Sequence, residues 1–119
     1  SEIFDAAMVV EARVKTVEDG DIISLDGVEL KVLHIPGHSP GGMALYLQNP
    51  QDKILFSGDN LFFRGIGRTD FDGGDHELLV ESIKKKILTL PPDTLVLPGH
   101  GARTTVGEEK DRNPFLQEQ

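Results

Sequence analysis

The sequence predicts an α/β fold, classed as α+β by some schemes, on three observations: two turn-linked pairs of strand-like runs, one amphipathic helical stretch, and one apolar run after it. "DIISL" and "VELKVLHI" flank Asp26-Gly27. A type I′ turn needs positive φ at both central residues, so 21–25 and 28–35 are expected to pair as a hairpin. "MALYLQ" and "KILFS" flank the turn-forming "NPQD", which predicts a second hairpin over 43–57. From Asp75 to Leu90, Leu79, Ile83, Ile87 and Leu90 recur at helical spacing, with Asp75 as N-cap and Pro91-Pro92 closing the end. "TLVLP" at 94–98 reads as one more buried strand, and the charged tail "EEKDRNPFLQEQ" as a short helix or coil. Proline and glycine fall at punctuation points rather than in a linker, and no repeat appears, so residues 1–119 read as one unit.

Composition limits what such a unit does. A chain of 119 residues is one domain at most, and buries roughly 65% of its unfolded surface. Twenty acidic side chains against twelve basic ones give a net charge of -8. That charge repels phosphate backbones and anionic headgroups, so neither nucleic acid nor a membrane surface is an expected partner. With no cysteine, disulfides and thiolate ligands are excluded; a metal must be held by imidazole and carboxylate. No apolar stretch approaches the ~18 residues that span a bilayer, and "SEIFDAAMVV" lacks the basic end of a signal peptide. The cytoplasm is the expected compartment. The chain starts at Ser1, which suggests an upstream piece or tag removed.

Three runs each end in a glycine followed at once by a metal-ligand type: Ile35-Pro36-Gly37-His38, Phe56-Ser57-Gly58-Asp59 and Leu97-Pro98-Gly99-His100. Glycine lets the backbone turn sharply, so the next side chain projects from the strand end into a shared crevice. Two imidazoles and a carboxylate without thiolate suit Zn²⁺, Mn²⁺ or Fe²⁺. Alone, each residue has a blander reading: an aspartate after glycine is usually a turn residue, and a lone histidine is usually hydrogen-bonded. The threefold repetition of one context favours the metal.

A serine nucleophile competes at the same place. Gly37-His38-Ser39-Pro40-Gly41 fits G-x-S-x-G, and Ser39, Asp59 and His100 follow the Ser, Asp, His order of a hydrolase class. That elbow needs a helix directly after the serine. Here Pro40, Gly41 and Gly42 follow and "MALYL" resumes as a strand, which is the wrong context.

"HIPGHSPGGMALYL", "LFSGDNLFFRGIGRTDF" and "VLPGHG", in this order, resemble the C-terminal half of a metallo-β-lactamase-fold hydrolase, in the branch of glyoxalase II, the hydroxyacylglutathione hydrolases, especially its short form. The resemblance runs from about Val17 to Leu116 and includes "GRTDFDGGDHELLVESIKKKI" and "RNPFL". It implies half of an αββα sandwich and a metal set of His38, Asp59 and His100. In the family, the histidine of P-G-H completes one metal site, the aspartate of G-D bridges both metals, and the last G-H histidine completes the other. The resemblance further implies a binuclear centre, zinc with iron or manganese as alternatives, its metals ~3.5–4 Å apart and sharing a water whose pKa falls toward ~7. The resulting hydroxide attacks a thioester carbonyl, one metal steadies the oxyanion, and the other receives the thiolate. Asp59 is then the catalytic residue of this chain, and no nucleophilic side chain is required.

The chain also departs from the family. The signature H-x-H-x-D-H, which brings four of the family's seven protein ligands, is absent. A chain holding mainly the second half is expected to leave the inner face of its sheet uncovered, and such a face aggregates or finds a partner. Two partners are expected to complete it: a complementary N-terminal half, or a second copy packed face to face by the family's pseudo-two-fold symmetry. An inactive metal-binding or assembly module is the alternative reading of the isolated chain. Lactones, persulfides and β-lactams are substrates that the residues do not separate from a thioester, and glutathione specificity is doubtful without the family's added helical domain.

The remaining candidates are weaker. His34, on a strand two residues before Pro36, reads as a structural histidine. His76, in the first helical turn, reads as solvent-facing or capping. Gly65-Ile66-Gly67-Arg68 lacks the context of a phosphate loop, and Arg68 reads as an ion-pair or loop-ordering residue beside Thr69, Asp70 and Phe71. Lys84-Lys85-Lys86 reads as a solvated helix face.

Overall fold

Turn chemistry and apolar alternation build a six-stranded mixed sheet in the computed structural model, which describes residues 18–25, 27–49, 51–70 and 72–117. Asp26, Pro50 and Phe71, named above in two turns and a loop, lie outside those residues. The first hairpin pairs β1 (Ile22–Leu25) with β2 (Val28–His34), and Gly27 between them has φ 80°. The second pairs β3 (Met43–Gln48) with β4 (Lys53–Gly58), where the Asn49 side chain accepts from the backbone N–H groups of Gln51 and Asp52. After Asp59, a two-stranded ribbon forms from β5 (Leu61–Phe62) and β6 (Gly65–Ile66). Then come α1 (His76–Lys86), β7 (Leu95–Pro98), β8 (Thr104–Thr105) and α2 (Val106–Arg112).

Strand order is β1-β2-β3-β4-β7-β8, antiparallel throughout except for the parallel pair β4 and β7. A parallel pair needs a long crossover, and α1 lies in it. The expected helix 75–90 is shorter. Its start is as read: Asp75 is the N-cap and accepts from the Leu78 N–H at 3.0 Å. Its end is Lys86, because Pro91 disfavours helical backbone at Leu90 and the chain tightens into turns from Ile87 onward. Ile87 stays fully buried, so the apolar spacing outlasts the helix. The tail resolves into α2, capped by the Thr105 hydroxyl, which accepts from the Glu108 N–H at 3.2 Å. Thr105-x-x-Glu108 is the capping-box pattern that signals this helix.

Alternation divides the core between the two sheet faces. Leu33, Ala44, Tyr46, Leu55 and Val96 point to the side where Leu79, Ile83 and Ile87 pack. Leu30, Val32, Leu45, Leu47 and Phe56 form a second cluster, flanked by Ile23, Val28, Met43, Ile54 and Leu97. The bare inner face expected from the sequence is not found at these positions: the five central side chains are at most 5% exposed. Among the described residues, no helix is long and apolar enough to cross a membrane.

Candidate metal centre

The β4/β7 pairing decides which candidates meet. Gly58 registers with Pro98 across a shift in the ladder after Phe56, and the Gly99 N–H donates to the Gly58 carbonyl at 2.9 Å. The residues that follow these two ends, Asp59 and His100, therefore emerge side by side. His100 Nε2 lies 3.8 Å from Asp59 Oδ1. A Cβ at Gly99 would lie 3.1 Å from that same Oδ1, a tight contact that would push the carboxylate aside, whereas Gly58 has φ 58°.

His38 reaches the site by a different route. It stands four residues beyond the end of β2, in a loop closed by the Ile35 N–H on the Gly42 carbonyl, 2.8 Å. Gly37 has φ 131° and lies against Leu79 of α1, and the Asp75 N–H donates to its carbonyl at 2.8 Å. The start of α1 thus anchors the residue before His38. His38 and Asp59 line one cleft of about 340 Å³ with Ser39, Gly41, Gly42, Met43 and Asn60. Gly67 fits between them: a Cβ there would overlap the Asp59 carbonyl oxygen and press within 3.1 Å of the His38 ring.

His38 Nδ1 is 2.8 Å from the Arg68 carbonyl oxygen. A carbonyl only accepts, so Nδ1 carries the proton and the neutral ring's lone pair sits on Nε2. A backbone carbonyl behind one ring nitrogen is how metal-ligating histidines are commonly oriented. Arg68 is held in turn by Asp70, with Nε to Oδ1 at 3.0 Å. The Arg68 guanidinium keeps that carboxyl below its ordinary value and is itself raised by the pairing. Arg68 is thus a loop-ordering ion-pair residue, as its sequence context suggests.

The donors fit a divalent cation in kind. Two ligands each ~2.1 Å from a tetrahedral ion sit roughly 3.4 Å apart, near the Asp59 to His100 separation. They fall short in number: among the described residues, no three His, Asp or Glu side chains close into a metal-holding cluster. With 57% of the Asp59 side chain and 77% of the His100 side chain exposed, the centre is open on one side.

The other histidines stay apart from it. His34 donates from Nε2 to the Pro40 carbonyl at 3.0 Å, and its own N–H donates to Asp19 Oδ1 at 2.9 Å, a structural arrangement. His76 begins α1, exposed, and meets Phe115 edge-on. Ser39 lines the cleft but is followed by a turn and β3, so the serine-elbow alternative fails for lack of a helix N-terminus to support the oxyanion. In the lysine run, Lys85 pairs with Glu81 and Lys86 with Asp19.

Three contributions escape the sequence reading. Asn60, 3% exposed, donates from Nδ2 to the carbonyls of Met43 and Ser57, joining the ends of β3 and β4 under the cleft. Phe62 stacks on the His100 ring with centroids 4.6 Å apart. Glu109, in the charged tail read as a short helix or coil, is fully buried beneath the β5–β6 turn. Adjacency to Asp59 was the available signal for Asn60; the other two had no local signal.

The family profile of the metallo-beta-lactamase superfamily matches residues 3–100. The chain is 48% identical over 99 residues to the hydroxyacylglutathione hydrolase GloC of Haemophilus influenzae, covering 83% of this chain and 46% of that protein. It is similar to the crystal structure of the BLEG-1 B3 metallo-beta-lactamase at TM-score 0.79 and 48% identity, covering 86% of this chain and 48% of the other. It is also similar to TTHA1623 in a di-iron-bound form, at TM-score 0.71 and 47% identity, covering 84% and 47%. The chain thus spans about half the length of the relatives it matches.

Proposed function

Because this chain belongs to the metallo-β-lactamase superfamily, we propose that it is the second half of a metal-dependent hydrolase of the glyoxalase II type, acting on a thioester. His38, Asp59 and His100 are its metal ligands in this reading. The observation that carries it is the 3.8 Å approach of His100 Nε2 to Asp59 Oδ1, beside a cleft that Asp59 shares with His38. Similarity to GloC supports the thioester and the hydroxyacyl substrate class. Zinc is the proposed metal, with iron or manganese as alternatives; the di-iron form of TTHA1623 supports iron as readily.

When bound, the metal supplies a Lewis acid for the carbonyl oxygen and water acidic enough to ionise near pH ~7. His38 contributes a ring whose tautomer is set by the Arg68 carbonyl. Asp59 would contribute a half-exposed carboxylate as a metal ligand. The cleft walls of Gly41, Gly42 and Met43 present backbone and one thioether, suited to seating a substrate. The ligands this chain lacks come, in the proposal, from a preceding half or a second copy.

The test is elemental analysis of the chain after dialysis against zinc or iron, with hydrolysis of a lactoylglutathione-type thioester measured alone and with a complementary half supplied. Bound metal that is lost in Asp59→Ala and in His100→Ala, and turnover on completion, support the reading. Metal content unchanged by both substitutions overturns the ligand assignment. Tight metal binding without turnover in the completed assembly favours the inactive-module reading.

A further inference from the structure

Glu109 is fully buried, and the metal-centre reading gives it no task. Its Oε1 accepts from the Arg64 backbone N–H at 2.7 Å and from Asn113 Nδ2 at 3.0 Å. Its Oε2 accepts from the Thr104 hydroxyl at 2.6 Å and pairs with the Arg64 guanidinium. Asn113 Nδ2 also donates to the Gly65 carbonyl at 3.1 Å. A carboxylate withdrawn from water is stable only when its lone pairs are filled, and these four donors fill them.

Two of the three donor residues lie in segments that leave the metal centre in different directions; the third, Asn113, caps the end of α2, the helix that carries Glu109. Arg64 and Gly65 belong to the β5–β6 turn, a few residues after Asp59, and Arg64 holds a left-handed φ of 58° there. Thr104 opens β8, four residues after His100. Between the two lies the stacked pair of Phe62 and His100, rings 25° from parallel. Releasing the turn from β8 would free Phe62 from the His100 ring, and His100 is an exposed side chain with few other constraints.

We propose that Glu109 is a positioning residue: by tying the β5–β6 turn to β8 through its buried carboxylate, it keeps Phe62 stacked on His100 and so fixes His100 beside Asp59. The stacking part of this claim stands on the fold alone; the consequence for metal rests on the ligand reading above.

The experiment compares Glu109→Gln with Glu108→Gln in the 119-residue chain. Glu108 is the exposed neighbour that binds the same Arg64 through Nη2 at 2.9 Å. The amide at 109 keeps one acceptor but turns a donor toward one of the two sets of donors that the carboxylate satisfies. Circular dichroism establishes folding. The imidazole proton shifts of His100 without metal, moved upfield by the Phe62 ring, report stacking. Competition with a chromophoric chelator reports zinc affinity. Folded Glu109→Gln is expected to lose the upfield shift and to bind zinc at least roughly tenfold more weakly, the lower end for groups behind a metal ligand. Glu108→Gln is expected to change neither. Thr104→Val, which removes one of the four donors at nearly constant volume, is run beside them and is expected to lose part of the shift even where Glu109→Gln does not fold. A folded variant of either kind with wild-type His100 shifts overturns the proposal. A wild-type chain that binds no zinc even when a complementary half is supplied overturns the ligand reading instead, and the His100 shifts then decide the role of Glu109 by themselves.

Discussion

Gly37→Ala is the sharpest single perturbation of the site's scaffold. A Cβ at position 37 would lie within 2.5 Å of the backbone N and Cα of Leu79, whereas ordinary contact begins near 3.4 Å. Helix α1 must therefore retreat by about 0.9 Å, or the loop must swing away from it. Overpacking of this kind costs about 1–3 kcal/mol. Holding alanine at the φ of 131° adds roughly 1–3 kcal/mol. The expected loss of about 2–6 kcal/mol is a large part of the ~5–15 kcal/mol that keeps a domain folded. Urea unfolding followed by circular dichroism measures it: with a slope near ~1.5 kcal/mol/M, a loss of about 3 kcal/mol lowers the midpoint by roughly 2 M. Gly41→Ala is the internal control, because nothing lies within 4 Å of a Cβ there and its φ is not in the left-handed region. It is expected to stay within about 0.5 kcal/mol of wild type. Equal midpoints for wild type and Gly37→Ala would refute the argument that the close approach of α1 seats the His38 loop.

Three further outcomes follow from the geometry. Asp75→Ala removes the acceptor for the Leu78 N–H and is expected to lower stability by about 1 kcal/mol, read from the shift of the thermal midpoint; an unchanged midpoint contradicts the cap. Asp93 accepts two hydrogen bonds from Lys53 Nζ, which hold its carboxyl below 3.8. A depressed folded pKa contributes stability above the unfolded value, lost as pH falls through the folded one; in Lys53→Met the Asp93 carboxyl carbon should titrate nearer 3.8, and a midpoint that does not rise removes Lys53 as the cause. Ser39→Ala is expected to leave zinc affinity unchanged, and a fluorophosphonate probe should leave Ser39 unlabelled in the wild-type chain; labelling at Ser39 would revive the serine mechanism.

Several parts of the molecule were legible because their causes are local. The Asn49 to Asp52 turn, the Asp75 cap and the alternation along β2 and β3 each depend on residues a few positions apart. The repeated glycine-ligand dipeptides likewise marked His38, Asp59 and His100 before any packing was known. Only tertiary structure decided the rest. The parallel register of β4 with β7 sets Asp59 beside His100, and no turn or periodicity encodes a pairing made across the whole of α1. The ribbon strands β5 and β6 are two residues each, too short for a period to show. Nothing in the charged tail singles out Glu109, yet its surroundings supply four donors and exclude water. Residue type and spacing therefore specified which groups are candidates for the chemistry, while burial and long-range pairing, which depend on segments far apart in the chain, specified how those groups are held.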